Sequence, residues 1–97
     1  MVQVTVDKDL EDLVPGFLAN RERDIEKINS LLAKADFDGI RIVGHSMKGS
    51  GGGYGFEFIT EIGTGLERAA MTGDSDAIRK AVLELQQYLK QVEIVYR

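Results

Sequence analysis

The sequence has no cysteine and no tryptophan, and it has one proline and one histidine among 97 residues. Without cysteine there is no disulfide, no thiolate metal site and no cysteine nucleophile. Sixteen acidic and twelve basic residues give a net charge of −4, whereas binding to nucleic acid or anionic membranes usually needs a basic surface. We therefore expect a protein that binds neither nucleic acid nor membranes.

Long apolar runs are also missing. No segment approaches the roughly 18 uninterrupted apolar residues of a membrane span. At the N-terminus, "MVQVTVDKDLEDL" reaches acidic residues too early for the apolar part of a signal peptide. These two absences predict a cytoplasmic location.

The length predicts a single domain over residues 1–97. Apolar residues recur at helical spacing in four segments, which start near Pro15, Phe37, Glu57 and Asp74, and the last stripe continues to Tyr96. Short connections make neighbouring helices antiparallel. The predicted fold is an all-α, up-down-up-down four-helix bundle with a short N-terminal helix or extended segment, and residues 2–6 alone alternate as a strand does.

Local signals mark the ends of these helices. Pro15 suits the first turn of a helix, where its missing N–H has no intrahelical partner anyway. Asp36, and Asp74 or Ser75, are candidate N-caps for the second and fourth helices. Gly73 suits the left-handed position that follows a helix.

The segment "GHSMKGSGGGYGF" holds the only histidine and six of the eleven glycines. In helical projection at about 100° per residue, His45 lies opposite the apolar face. Lys48 follows one turn later on the same side. Gly49 and Gly52 remove side chains from the adjoining turns, although each interior glycine costs about 0.5–1 kcal/mol relative to alanine. A histidine on a polar face is often only a solvated side chain, but these neighbours favour a group presented to a partner.

Several chemistries fit these residues poorly. One histidine with a lysine nearby does not form a metal site. No serine is placed for activation by His45, because Ser46 and Ser50 point elsewhere on the helix. A nucleotide-binding loop needs a lysine after its second glycine and a preceding strand, whereas Lys48 precedes Gly49 in a helical segment.

Attack by neutral imidazole on a phosphoryl group fits better. An exposed histidine is largely neutral at pH 7 and can attack without a separate base. Phosphoryl transfer depends on positioning and on neutralising the spreading negative charge. Within the motif, Lys48 is the candidate for that second role.

These residues resemble the H-x-x-K-G-x-x-x-x-x-G signature of histidine-containing phosphotransfer domains. His45, Lys48, Gly49 and Gly55 occupy its four positions. The later "GLERAAMTGD" is similar to the family's L-E-x-A-A-x-x-G-D helix end, and the run into the histidine, "NSLLAKADFDGIRIVGHSMKG", is similar as well. The matching positions of the second motif are Leu66, Glu67, Ala69, Ala70, Gly73 and Asp74.

The resemblance implies a phosphorelay intermediate of two-component signalling. His45 would be phosphorylated on its outer ring nitrogen and exchange the group with an aspartate of a receiver domain, while Lys48 steadies the phosphoryl oxygens and Gly49 gives the receiver room. Such a carrier is not an independent ATP-dependent kinase and holds no cofactor of its own, because the receiver supplies the acidic pocket and Mg²⁺. Its partners would be a response-regulator receiver and a histidine kinase, and we expect a monomer.

Other residues on this face are candidates for docking. Gly52 and Arg41 project to the same side as His45, and Ile42 is an apolar residue near it. The charges of "NRERDIEK" predict a solvated face, with the alternative that Arg21 and Arg23 lie near His45 if the first two long helices pair antiparallel. Two alternatives stay open: a helical adaptor that binds receiver or kinase domains without phosphorylation, and an ordinary enzyme, for which the sequence shows no convergent catalytic groups.

Overall fold

The chain forms a four-helix bundle with a small pair of parallel strands, which confirms the predicted fold. A computed structural model describes residues 2–97. Each helix packs against its neighbours in the order α1, α2, α3, α4, and α4 closes the bundle against α1. The elements are β1 (Val2–Val6), a 3₁₀ turn (Lys8–Leu10), α1 (Val14–Ala33), α2 (Phe37–Tyr54), α3 (Glu57–Met71), α4 (Ser75–Gln91) and β2 (Val92–Tyr96).

The helix ends follow the local signals. Asp36 accepts a hydrogen bond from the backbone N–H of Gly39 at the start of α2, and Asp74 caps α4 in the same way. Pro15 lies in the first turn of α1. Gly55 and Gly73 adopt the left-handed conformation with φ of 85° and 65°, which glycine reaches without strain. Local chemistry therefore sets the boundaries of these helices.

Apolar side chains from all four helices meet in one core. At the end of the bundle near β1, the ring of Phe17 stacks on Tyr54 and on Phe56, with centroids 4.3 Å and 5.2 Å apart. This places Phe56 in the core and Tyr54 at its edge, as half-buried. The fully buried side chains include Ile28, Ile40, Met47, Phe56, Ile59, Leu66, Ile78 and Leu85.

The C-terminal segment is a strand and not the end of the last helix. The apolar stripe predicted a helix through Tyr96, but α4 ends at Gln91 and Val92–Tyr96 forms β2. This strand lies parallel to β1, with Val2 opposite Val92. Three of its five residues are β-branched, which disfavours helix and suits a pleated surface. The helical prediction was wrong here because the pairing partner lies at the other end of the chain.

Helices α2 and α3 approach closely enough to require glycine. A Cβ atom at Gly63 would lie 2.5 Å from the backbone nitrogen of Lys48 and 2.6 Å from the carbonyl oxygen of Gly44. A Cβ atom at Gly44 would lie 2.8 Å from the backbone nitrogen of Glu67, and one at Gly51 would also meet the α3 backbone. Some glycines around the histidine motif therefore serve packing inside the bundle. This contact fixes α2 and α3 relative to each other.

No helix within residues 2–97 has the length and apolar character needed to cross a membrane.

Candidate functional site

His45 lies midway along α2 on its outer face. Its side chain is 69% exposed, in agreement with the helical projection. The core side of the same helix carries Ile40, Val43 and Met47, all buried. The imidazole is therefore held on a rigid element and remains open to an approaching molecule.

A carboxylate from α3 joins His45 to Lys48. The Nδ1 atom of His45 lies 2.9 Å from Oε2 of Glu67, and the Nζ atom of Lys48 donates to Oε1 of Glu67 at 3.2 Å. The Glu67 side chain is only 20% exposed, whereas that of Lys48 is 41% exposed. One carboxylate thus orients both residues of the motif.

The contact with Glu67 assigns the proton on the imidazole. An ionised carboxylate can only accept hydrogen bonds, so Nδ1 of His45 must be the donor. In the neutral ring, the other nitrogen, Nε2, then carries a free lone pair. Within residues 2–97 the imidazole has no hydrogen-bond partner besides Glu67. The arrangement leaves Nε2 as the nucleophilic atom.

The charge on Glu67 is stabilised by the same two contacts. The hydrogen bond from Lys48, followed by that from His45, lowers the pKa of the Glu67 carboxyl below its ordinary value of 4.5. Glu67 therefore stays ionised and able to hold the Nδ1 proton in mildly acidic solution.

We expect Glu67 to make folding stability depend on pH. Because its pKa is lower in the folded protein, the unfolded chain binds more protons below about pH 5, and stability falls as the pH drops from there through the folded-state pKa. In Glu67→Gln this component is absent, so the difference in unfolding free energy between wild type and variant should shrink on acidification. Urea denaturation at neutral pH and in steps down to about pH 3 measures this difference.

Glu61→Gln is the matched control, since Glu61 is an exposed glutamate on the same helix and forms no ion pair within residues 2–97. If the difference in unfolding free energy between wild type and Glu67→Gln stayed constant with pH, Glu67 would not be the source of the pH dependence.

The bare backbone beside His45 lies C-terminal to it on α2. Within residues 2–97, a Cβ atom at Gly49 or Gly53 would have no atom within 4 Å apart from its chain neighbours and the backbone of its own helix. At Gly52 its nearest neighbour would be Oγ1 of Thr60, at the ordinary contact distance of 3.8 Å. Nothing inside residues 2–97 requires glycine at these three positions, in contrast to Gly44, where packing does.

The remaining predicted docking residues lie on the surface of α2. Arg41 is exposed and forms no ion pair within residues 2–97. Ile42, one turn before His45, is 59% exposed.

The two arginines of α1 do not reach the histidine. Arg21 is buried, donates to Oγ of Ser50 at 2.9 Å and pairs with Asp24 at 2.9 Å, so its predicted position was wrong. Its guanidinium lies over the ring of Phe17, which holds it against the inner side of α1. Arg23 is bonded within its own helix.

Sequence reasoning assigned no role to two residues on α3. Glu67 was identified only as a match in "LERAA", a signal that could have directed attention to it. Met71 is 71% exposed and follows Glu67 by one turn, so it lies on the same face of α3. The site thus combines one exposed imidazole, one cation, one carboxylate and exposed apolar side chains.

Within residues 2–97 no group of three or more histidine and carboxylate side chains is arranged to hold a metal ion.

A comparison with models of protein families matches residues 12–94 to the Hpt domain. The chain belongs to the Hpt domain family. Hpt domains act in phosphotransfer within two-component phosphorelays. No curated protein and no solved structure matched the chain.

Proposed function

We propose that this Hpt domain carries a phosphoryl group on Nε2 of His45, which it accepts from and returns to the aspartate of a receiver domain. The observation that carries the proposal is the contact between Nδ1 and Glu67, because it leaves Nε2 free on an exposed side chain. Family membership supplies the reaction class. The residues and their roles are inferred from the geometry.

The transfer needs no proton movement at the attacking atom. The lone pair of Nε2 forms the N–P bond while the bond between phosphorus and the aspartyl oxygen breaks, and the aspartate leaves as a carboxylate. The phosphorylated ring keeps its Nδ1 proton and becomes an imidazolium. The Glu67 carboxylate, already 2.9 Å from Nδ1, stabilises that positive charge.

Lys48 is the residue we assign to the phosphoryl oxygens. Its ammonium is held beside the imidazole through Glu67 and is partly exposed. It can therefore turn toward a group on Nε2 and neutralise charge as the transition state develops. Lys48 and His45 share a carboxylate in the resting protein, so the site is arranged before the receiver binds.

We expect Lys48→Ala to slow transfer about tenfold or more without unfolding the bundle, because a cation near the phosphoryl group is lost while its side chain is not part of the core. Rapid-quench measurement of transfer from a phosphorylated receiver gives the rate. Lys80→Ala, an equal change of charge on α4, should leave it unchanged. Equal rates for Lys48→Ala and wild type would remove Lys48 from the mechanism.

The receiver surface is proposed to cover both flanks of His45. Ile42 and Met71 supply exposed apolar contacts on one flank, and Arg41 adds positive charge. Gly49 and Gly52 let the receiver approach the α2 backbone on the other flank. Gly49→Leu should weaken binding of the receiver by filling that space. If titration calorimetry gave an unchanged affinity, the receiver would not need the open space at Gly49.

Partners, location and assembly follow from the family and stay predictions. We infer a receiver of a response regulator and a histidine kinase as partners, in the cytoplasm, with the protein acting as a monomeric single domain over residues 1–97.

The deciding experiment incubates the protein with each phosphorylated receiver domain encoded in the same genome. Phosphate on the protein that is labile to acid and stable to base, as phosphohistidine is, supports the proposal. A receiver that binds without transferring phosphate would indicate the helical adaptor instead.

A further inference from the structure

Within residues 2–97, strand β1 has one edge without a strand partner. The carbonyl of Val6 accepts from the N–H of Arg97 at 3.1 Å, and the N–H of Lys8 donates to the carbonyl of Arg97 at 3.0 Å. Backbone groups of successive residues point to opposite sides of a strand, so even-numbered residues face β2 and the backbone groups of Gln3 and Thr5 face away. In the described part of the chain the sheet has two strands, and no turn or loop hydrogen bond reaches Gln3 or Thr5.

A groove runs along this edge. Its first part, about 280 Å³, lies between Gln3 and Thr5 on one side and the start of α3 on the other. Its second part, about 330 Å³, continues between β1 and α4. Val2, Phe58 and Tyr88 line both parts, so the two parts adjoin and share these largely apolar side chains.

Two aromatic rings shape this floor. Phe58 and Tyr88 stack with centroids 4.6 Å apart. The Tyr88 hydroxyl is buried and has no hydrogen-bond partner within residues 2–97, which is uncommon for a buried polar group. Burial raises the pKa of Tyr88, so the hydroxyl keeps its proton and remains a donor. The hydroxyl is thus enclosed beneath the groove, and the two rings contribute apolar surface to its floor.

The negative charge along the groove favours an occupant with basic side chains. Glu57 and Glu84 lie along the groove, and among the described residues no lysine or arginine lines it. A second copy pairing through the same edge would bring these carboxylates together. An occupant with basic side chains is favoured instead.

We propose that an extended segment of a partner protein, with alternating apolar residues and at least one lysine or arginine, adds to β1 as a third strand. Its backbone bonds to Gln3 and Thr5, its apolar side chains contact Phe58 and Tyr88, and its basic side chains pair with Glu57 and Glu84. Strand addition of this kind obtains affinity from main-chain hydrogen bonds and specificity from side-chain pockets.

The proposed strand site is separate from the phosphotransfer site and does not depend on it. Gly55, which borders the groove, follows His45 by ten residues, about 15 Å along the helix axis. A segment bound at β1 leaves the imidazole open. The partner would therefore hold the domain while a receiver visits His45.

The test uses an acetylated and amidated peptide of about seven residues that alternates lysine and valine. Titration into ¹⁵N-labelled protein should shift the amide signals of Gln3, Thr5 and Phe58 and slow hydrogen exchange of the Gln3 and Thr5 amides by at least about tenfold. A peptide with glutamate in place of lysine should bind at least about tenfold more weakly. A peptide N-methylated on its bonding edge should not bind, because it cannot form the ladder.

Two protein variants sharpen the test. Thr5→Pro removes only an outward N–H, which an edge strand tolerates, and should weaken peptide binding at least about tenfold. The double variant Glu57→Gln with Glu84→Gln should remove the preference for lysine. Its matched control changes Glu22 and Glu26, which line a different groove between α1 and α4, and should bind like wild type.

Four results would overturn the strand site. They are no binding of the lysine peptide, signal shifts confined to the His45 face, equal affinity for the two charged peptides, and a dimer through β1 in sedimentation. Folding of each variant is checked by circular dichroism, so a loss of binding cannot be confused with a loss of structure.

Discussion

Replacement of His45 by glutamine is expected to abolish phosphorylation of the protein while leaving the bundle folded. Glutamine has polar atoms of similar reach but no nitrogen with a free lone pair, so no N–P bond can form. Stability should change by less than about 1 kcal/mol, because the lost contact with Glu67 involves a side chain that is 69% exposed. The amount of label that each protein takes from a radiolabelled phosphorylated receiver is measured by gel electrophoresis under basic conditions.

The matched control for His45→Gln is Ser46→Ala. Ser46 is the next residue on α2, is exposed, and forms no side-chain hydrogen bond within residues 2–97. The Ser46→Ala variant should accept phosphate on His45 to the same extent as wild type. Label on His45→Gln at the wild-type level would show that the phosphoryl group resides on another residue and would reject the proposed function.

Substitution of Gly63 by alanine is expected to destabilise the bundle by about 2 kcal/mol or more, despite the better helix propensity of alanine. The new Cβ would lie 2.5 Å from the backbone nitrogen of Lys48 and 2.6 Å from the carbonyl oxygen of Gly44. Backbone atoms cannot move aside as a side chain can, so α2 and α3 must separate. For a domain of this size, that loss lowers the melting temperature by roughly 10 °C.

The comparison variant is Gly65→Ala, two residues along the same helix. Within residues 2–97, a Cβ there would have no atom within 4 Å apart from its chain neighbours and the backbone of its own helix, so the substitution should stabilise the protein by about 0.5–1 kcal/mol. Urea denaturation of both variants gives the sign of each change in unfolding free energy. If Gly63→Ala were as stable as Gly65→Ala, that result would contradict the close approach of the α2 and α3 backbones at Gly63.

The Gly63 substitution also reports on the site. Separation of α2 from α3 would pull Glu67 away from His45 and Lys48, because those residues are joined only across this contact. We therefore expect reduced phosphotransfer from the folded fraction of Gly63→Ala. This connects the packing of the glycines to the orientation of the imidazole.

Much of the fold was predictable because its signals are local. Apolar spacing located all four helices, and Asp36, Asp74 and Gly73 marked their ends by hydrogen bonding and backbone conformation. The outward direction of His45 followed from its angle to Ile40 and Met47 around one helix. Each of these inferences needs only residues within a few turns of one another.

The glycines show where local reasoning became ambiguous. Helical projection placed Gly49 and Gly52 on the His45 side of α2, as a surface cleared for a partner, and gave Gly44 no role. In the structure, Gly44 packs against the α3 backbone while Gly49 has open space beyond it. Spacing within α2 gives the side on which each glycine lies, but the close approach of the α3 backbone to Gly44 depends on how the two helices pack.

The sequence by itself determined four amphipathic helices, their caps, and an exposed histidine with a lysine one turn away. Only the tertiary structure decided that Glu67 bridges those two residues, that Arg21 turns to Ser50, and that Val92–Tyr96 pairs with β1. The physical reason is the range of the interactions. Helix periodicity and capping act within about one or two turns, whereas these contacts join residues that are neighbours only after the helices have packed.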